Sequence, residues 1–276
     1  MTACALRRRG SYLGAPFRCA SHEEVSMLAL SRGRYLARPA AGPEDLRRAQ
    51  ELRWLAFHGR RAGSGASGLD ADRFDGACSH MLIEEAESGA LVGCFRFLTF
   101  ASGREIGRSY SAQFYELSAL EGFAGPMVEM GRFCIHPDRR DPDILRVAWG
   151  ALTQHVDRAG IEMLFGCSSF HGTEPEAYLD TFAMLKERHL APPRWLPRVK
   201  AASVYRFAQR LARREPDTRR AMLQMPPLLR TYLMMGGWVS DHAVVDREMD
   251  TLHVFTGLEI GAIPARRARA LRAVAG

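Results

Sequence analysis

Apolar and polar positions between residues 34 and 258 switch repeatedly between a period of two and a helical period. Arg34–Arg38 reads as a first strand, and Ala41-Gly42-Pro43 as a turn. Pro43-Glu44-Asp45 opens a helix with its acids in the first turn, where the helix dipole favours them. Leu46, Ala49, Leu52 and Ala56 then recur at helical spacing as far as Phe57. His80–Glu84 and Leu91–Leu98 read as the two strands of a hairpin, turned at Ser88-Gly89. Tyr110–Leu120 predicts a short helix.

The most informative stretch is Val128–Asp141. Val128, Met130, Phe133 and Ile135 are apolar, and the alternation breaks at Gly131-Arg132, where one residue too many intervenes. This is the pattern of a strand with a bulge. His136-Pro137 stops the strand, because proline has no N–H to give a ladder. Ile144, Leu145, Ala148, Leu152 and Val156 mark a helix opened at Asp141-Pro142-Asp143 and ended by Gly160. Ile161–Cys167 is another apolar strand. Strand, helix and strand make a crossover, so Val128–Ile135 and Ile161–Cys167 are predicted to be parallel neighbours, splayed apart near Arg132. Beyond them, Tyr178–Lys186 reads as a helix and Ala191–Pro197 as extended. A short helix from Pro226 to Gly236-Gly237 follows, then closing strands at Ala243–Val245 and Thr251–Leu258. The fold class is α/β, with no repeat.

Composition narrows the picture. The 276 residues are 47% hydrophobic and 25% charged, as in a globular protein. No apolar run approaches the roughly 18 residues of a membrane span. The net charge of +7 suits an acidic partner. Of the six cysteines none forms a CxxC pair, and Cys94, Cys134 and Cys167 lie in apolar strands, as small core residues of a reducing compartment do. Residues 1–30 show no signal-peptide pattern and are expected to be a disordered extension; residues 31–276 are expected to form one domain with a C-terminal elaboration.

Several residues stand out chemically. Glu129 and Arg132 project from the bulged strand, a pair that a surface salt bridge would explain equally well. Arg96 lies inside an apolar strand and needs a partner, either Glu129 or an acid of the run Asp70–Asp75. Ser168, Ser169 and His171 lack the GxSxG nucleophile elbow, and the histidines have no metal-ligand spacing. Acyltransferases that use coenzyme A place a glycine-rich diphosphate loop between such a strand and helix. Here that place is Arg139-Arg140-Asp141-Pro142-Asp143, without a glycine and with two acids that repel a diphosphate.

Five motifs in order carry a resemblance: Arg53–Phe57, Asp72–Asp75, Gly93–Arg96, Glu129–Arg132 and Gly166–Thr173. Together they resemble the ornithine–acyl-carrier-protein N-acyltransferases, which make lyso-ornithine lipid in bacteria and are related to acyl-homoserine lactone synthases. The resemblance covers about residues 33–261. It implies a GNAT-like fold with a mixed central sheet flanked by helices. It also implies transfer of a (3-hydroxy)acyl chain to the α-amino group of L-ornithine, and one charged cluster of Asp72, Asp75, Arg96, Glu129 and Arg132. No cofactor is expected beyond the carrier's phosphopantetheine thioester as co-substrate, and no metal.

On this reading Glu129 is the candidate base, and the backbone near Arg132 the oxyanion donor. Arg53, Asp72, Asp75, Arg96, Ser168 and Ser169 are candidate substrate-binding residues. Arg139, Arg140 and Arg146 are candidate contacts for the acidic carrier protein. The expected partners are acyl-carrier protein, L-ornithine and an anionic membrane touched peripherally, not nucleic acid. The expected location is the cytoplasm, extending to the inner face of its membrane. An acyl-homoserine lactone synthase and a non-catalytic carrier- or membrane-binding module are the two alternatives.

Overall fold

The computed structural model of the protein describes residues 29–62 and 67–275. The extension predicted over residues 1–30 falls, up to residue 28, outside them. In chain order the N-terminal half comprises β1 (Leu30–Arg32), β2 (Tyr35–Pro39), α1 (Pro43–Ala62), β3 (Ser79–Glu85) and β4 (Leu91–Phe100). Then come β5 (Tyr115–Glu116), β6 (Met127–Ile135), α2 (Pro142–Arg158) and β7 (Met163–His171). The C-terminal part adds α3 (Leu179–Arg188), β8 (Arg198–Val199), β9 (Val204–Tyr205), α4 (Phe207–Arg210), α5 (Thr218–Gln224) and α6 (Pro227–Met234). It closes with β10 (Trp238–Val239), β11 (Ala243–Asp246), β12 (Thr251–Glu259) and α7 (Ala265–Ala275).

One mixed sheet runs β1-β2-β3-β4-β6-β7-β12-β11-β9, with β10 also paired to β12. Alternation along β4 and β6 divides the packing between two faces. Cys94 and Cys134 point to Ala49 and Leu52 of α1. Phe95, Phe97, Val128 and Met130 point the other way, to Ile144, Val147, Ala148 and Leu152 of α2. The α2 helix starts where the sequence says: Asp141 caps it, its carboxylate accepting from the Asp143 N–H at 2.9 Å. Gly160, at φ +59°, takes the left-handed position that stops it.

The sheet splits at its centre. Strands β6 and β7 are parallel, but their ladder holds only from Met127↔Met163 to Glu129↔Phe165. Beyond that point β7 stays with β12 as far as His171↔Thr251, while β6 stays with β4. The β4–β6 register shifts by one between Cys94↔Cys134 and Arg96↔Gly131, which is the anticipated bulge. Arg132 sits in it at φ 51°. A non-glycine residue there costs on the order of 1–3 kcal/mol, which the surrounding contacts must offset. Gly166 stands at the branch point: a Cβ there would lie 2.3 Å from the Met130 carbonyl oxygen, so only glycine lets the two backbones meet before they part.

The sequence reading needs three corrections. Tyr110–Leu120 is not a helix but two 3-10 turns, Ser111–Gln113 and Ser118–Leu120, flanking β5, which pairs with β8. The backbone of Tyr115–Glu116 pairs with β8 instead of continuing a helix, while the Tyr110 and Ser111 N–H groups donate to Glu129 and the buried Tyr115 hydroxyl to the His253 carbonyl. Ala191–Pro197 contains a 3-10 turn, Pro193–Trp195. The edge strand β1 and the C-terminal helix α7 were not anticipated. Both dock locally: Arg272 pairs with Asp157 of α2 at 2.8 Å, and Arg32 of β1 donates to the Ala273 carbonyl at 3.2 Å.

Candidate active site

The split places two compartments side by side. The first is a cavity of about 460 Å³ between the parted strands. Residues 130–135 of β6, 166–171 of β7 and Gly172 after it line it, with Leu228, Leu229 and Tyr232 of α6 as apolar wall. Arg96, Tyr110, Glu129, Arg132, Asp246 and His253 add polar groups to the same lining. The second cavity, of about 440 Å³, is more polar and is lined by Asp70, Asp72, Arg73, Gln113 and Glu248, with Trp54 and His58 of α1. Tyr110, Arg132, Asp246 and Met249 line both. An apolar chain therefore has one place to lie and a small charged group another, with Arg132 between them.

Arg132 is held by a network of three arginines and three aspartates. Arg53, only 1% exposed, donates from Nε to Asp70 at 2.9 Å and from Nη1 and Nη2 to both oxygens of Asp75 at 2.8 and 3.0 Å. Arg96 grips Asp72 with both terminal nitrogens, each at 2.6 Å, and reaches Asp75 at 2.5 Å. Arg132 donates to Asp72 at 3.2 Å and to the Tyr110 hydroxyl at 3.2 Å. Its Nε lies 3.0 Å from Asp70 Oδ2, but the N–H does not point at that oxygen. Burial alone would raise the Asp72 and Asp75 carboxyl pKa values; the guanidinium hydrogen bonds and charges outweigh it and hold both below the usual carboxylate range.

Arg96 thus finds its partner in the acidic loop and not in Glu129. Glu129, 5% exposed, accepts the Tyr110 N–H on one oxygen at 2.7 Å. Its other oxygen accepts the Ser111 N–H at 2.7 Å and the Ser111 hydroxyl at 2.6 Å. Burial pushes its pKa above the ordinary glutamate value despite these three donors. Glu129 lines the first cavity beside the network and is not a member of it.

The other anticipated residues divide. Arg53 and Asp75 line neither cavity and are fully engaged with each other, Asp70 and Arg96, so they hold the loop instead of meeting a substrate. Asp72 lines the second cavity, Arg96 the first. Ser168 and Ser169 line the first; Ser169 is exposed, whereas Ser168 is buried and accepts from the Thr256 hydroxyl at 2.9 Å. Arg139, Arg140 and Arg146 are exposed on the segment after β6; Arg146 pairs with Asp143 at 2.5 Å, and Arg139 lies 3.9 Å from Glu85. Among the described residues no group of three or more His, Cys, Asp and Glu is placed to hold a metal ion. Sequence reasoning passed over Asp70, Tyr110, Ser111, Asp246 and His253 as site residues. Asp70 stood in the same acidic run; the others carry no local signal.

The network makes a stability prediction. Arg53→Leu takes one cation from each of two buried carboxylates, Asp70 and Asp75, and should cost about 3–5 kcal/mol in denaturant unfolding. In the parent protein the stability contributed by Asp72 and Asp75 is present above the ordinary aspartate pKa of about 4 and is lost as pH falls through that value toward their depressed ones. Melting temperature should therefore fall progressively as pH is lowered below about 5, and Asp75→Asn should flatten that fall. An Arg53→Leu protein as stable as the parent would refute the role given to the network.

Comparison with known proteins agrees with this architecture. The family model described as "Acetyltransferase (GNAT) domain" matches residues 52–150, from α1 through most of α2. An N-acyl amino acid synthase from uncultured soil microbes aligns with a TM-score of 0.48 at 9% identity, over 83% of this chain and 93% of that one. A CoA-dependent acyl-homoserine lactone synthase, solved with SAM and isopentyl-CoA, aligns at 0.44 and 14% identity, over 86% of each chain. The L-ornithine N(alpha)-acyltransferase of Brucella abortus is 30% identical over 79% of this chain and 82% of its own length. That of Rhodobacter capsulatus is 34% identical over 230 residues, 80% of this chain and 88% of its own length. Similarity of that extent, spanning both sides of the split sheet, makes this protein an acyltransferase belonging to the L-ornithine N(alpha)-acyltransferase family.

Proposed function

We propose that the protein moves an acyl chain from the phosphopantetheine thioester of an acyl-carrier protein to the α-amino group of L-ornithine, giving lyso-ornithine lipid. The observation that carries this reading is the pair of cavities meeting at Arg132. An acyl chain fits the gap between β6 and β7, and an amino acid fits the polar side. The neutral amine attacks the thioester carbonyl, the C–N bond forms, the C–S bond breaks, and the carrier's sulfur leaves as a thiolate. The amine proton passes to Glu129, directly or through a water, and from there to the thiolate, which regenerates the base. One Glu129 oxygen carries two hydrogen bonds and the other only one, which leaves an open lone pair on the latter. Past Glu129, β6 has no β7 partner, so its gap-facing amides are available to the developing oxyanion.

The start of α2 supports a carrier-protein donor. Asp141 occupies the helix N-terminus with its own carboxylate and is itself held by Arg34 at 2.8 Å and the Tyr35 hydroxyl at 3.0 Å. A diphosphate is repelled where it would otherwise bind. An acidic carrier protein approaching Arg139, Arg140 and Arg146 suffers no such conflict. The lipid product also suits peripheral contact with an anionic membrane. Exposed Met222 and Leu223 (36% and 77%) lie on α5 beside Arg219 and Arg220, close in sequence to the cavity-lining Leu228 and Leu229. No helix among the described residues is long and apolar enough to cross a membrane.

Steady-state assays with ornithine and mass-spectrometric identification of the product test the reaction. The carrier thioester should give a kcat/KM at least about tenfold above the CoA ester, a gap that loss of one charged contact would produce. Equal values, or no acyl-ornithine from ornithine while S-adenosylmethionine in its place gives acyl-homoserine lactone, would sink the proposal. For the base, Glu129→Gln should lower kcat about 10²-fold. Glu129 works ionised and its pKa is raised, so parent activity should fall as pH drops through that raised value, and the variant should lose this acid limb. Near-normal kcat with an unchanged pH profile would remove Glu129 from the chemistry. For the membrane, the protein should float with vesicles containing anionic lipid and not with neutral ones, and Leu223→Asp should abolish flotation; flotation unaffected by lipid charge or by the variant would contradict the surface assigned.

A further inference from the structure

The lining of the first compartment holds two acceptor groups, one of them shared with the second, that the reaction as described leaves unused. Asp246, at the end of β11, lines both cavities. Its Oδ1 accepts the N–H groups of Glu248 at 3.1 Å and Met249 at 3.0 Å. In a chain of net charge +7, no arginine, lysine or histidine among the described residues comes within ion-pair distance of it. The other aspartates at this junction, Asp70 and Asp72, are each engaged by arginine.

His253 lies in the adjacent strand β12 and is 3% exposed, yet it belongs to the lining of the first cavity. Its tautomer is fixed by Tyr115. The tyrosine hydroxyl has one proton and donates it to the His253 carbonyl at 2.8 Å, so the contact of 3.1 Å to Nδ1 requires Nδ1 to be the donor. The ring lone pair is then at Nε2, which is buried and has no hydrogen-bond partner among the described residues. Burial lowers the imidazole pKa to about 4, although the nearby Asp246 charge works the other way, so the ring is neutral at pH 7 and Nε2 stays an acceptor.

Leaving such an acceptor unsatisfied is costly, and a carboxylate without a cation beside it calls for the same remedy. A primary ammonium has three donors and one charge. We propose that Asp246 and His253 Nε2 form the subsite for the side-chain ammonium of the amino-acid acceptor and thereby select a diamino acid. This rests on the reading of the acceptor as ornithine. With its carboxylate at Arg132, which lines both cavities, the side chain extends along the shared lining to Asp246, and the α-amine stays at the strand gap.

The test compares ornithine with norvaline, which has the same carbon skeleton without the terminal amine, using the full chain and a carrier-protein thioester. The parent should prefer ornithine in kcat/KM by about 100-fold, as a site with polar groups to satisfy does. Asp246→Asn keeps Oδ1 for the turn and removes the charge. It should cut that preference by about tenfold or more, mainly through a higher KM for ornithine. His253→Asn keeps an N–H for Tyr115 and deletes Nε2. It should raise the KM for ornithine by a smaller factor, about three- to tenfold. A ratio unchanged in Asp246→Asn, or a loss falling equally on both acceptors, overturns the subsite while the family reaction stands. A parent protein that acylates neither amino acid overturns the ornithine reading, and the subsite with it.

Discussion

Everything in the site hangs on three guanidinium groups that share three aspartates. Arg53 comes from α1, Arg96 from β4 and Arg132 from the bulge of β6, and one short loop supplies Asp70, Asp72 and Asp75. None of these elements could bury its charge alone, because an unpaired arginine or aspartate inside the fold costs several kcal/mol. Together the signs balance, and the loop is pinned across the end of the sheet. The depressed carboxyl pKa values of Asp72 and Asp75 express the same balance. The network is therefore rigid, and of its three arginines only Arg132 lines both cavities.

The bulge turns this rigidity into a site. By adding one residue to β6, it releases that strand from β7 after Glu129 and turns Arg132 out of the ladder toward the loop. Gly166 allows the backbones to touch first, so the gap opens abruptly. Glu129, on the last paired position, stays buried and hydrogen-bonded to the turn at Tyr110 and Ser111. The carboxylate and the guanidinium, three residues apart, thus end in different environments. Glu129 is in a desolvated pocket that raises its pKa, and Arg132 is at the junction of two cavities. One irregular residue in a strand accounts for both.

The two ends of the chain contribute different things. The GNAT-matching stretch, residues 52–150, supplies the network, the bulge and the helix whose start is closed by Asp141. The later part supplies α6 as apolar wall, and β11 and β12 as the carriers of Asp246 and His253. A transferase that joins an apolar donor to a charged acceptor needs both.

Periodicity and punctuation were enough to determine the crossover β6-α2-β7, its parallel sense, the bulge at Gly131-Arg132, the Asp141 start and the Gly160 stop of α2. These are local: each follows from spacing, from proline's missing N–H or from a capping carboxylate. The five ordered motifs determined the family, and the need of Arg96 for a partner could be foreseen because a charge in an apolar strand is costly wherever the strand lies. Only the tertiary structure decided which acid answered it. Asp72 and Asp75 lie more than 20 residues before Arg96, Glu129 lies more than 30 after, and sequence distance gives no preference between them. Tyr110–Leu120 failed as a helix for the same reason, since the strand that pairs with Tyr115–Glu116 lies about 80 residues further on. Asp246 and His253 were invisible because a lone acid at a strand end and a histidine in an apolar strand look like ordinary turn and core residues. Their unmet hydrogen-bonding capacity appears only once the sheet brings them to the cavity that Arg132 also lines.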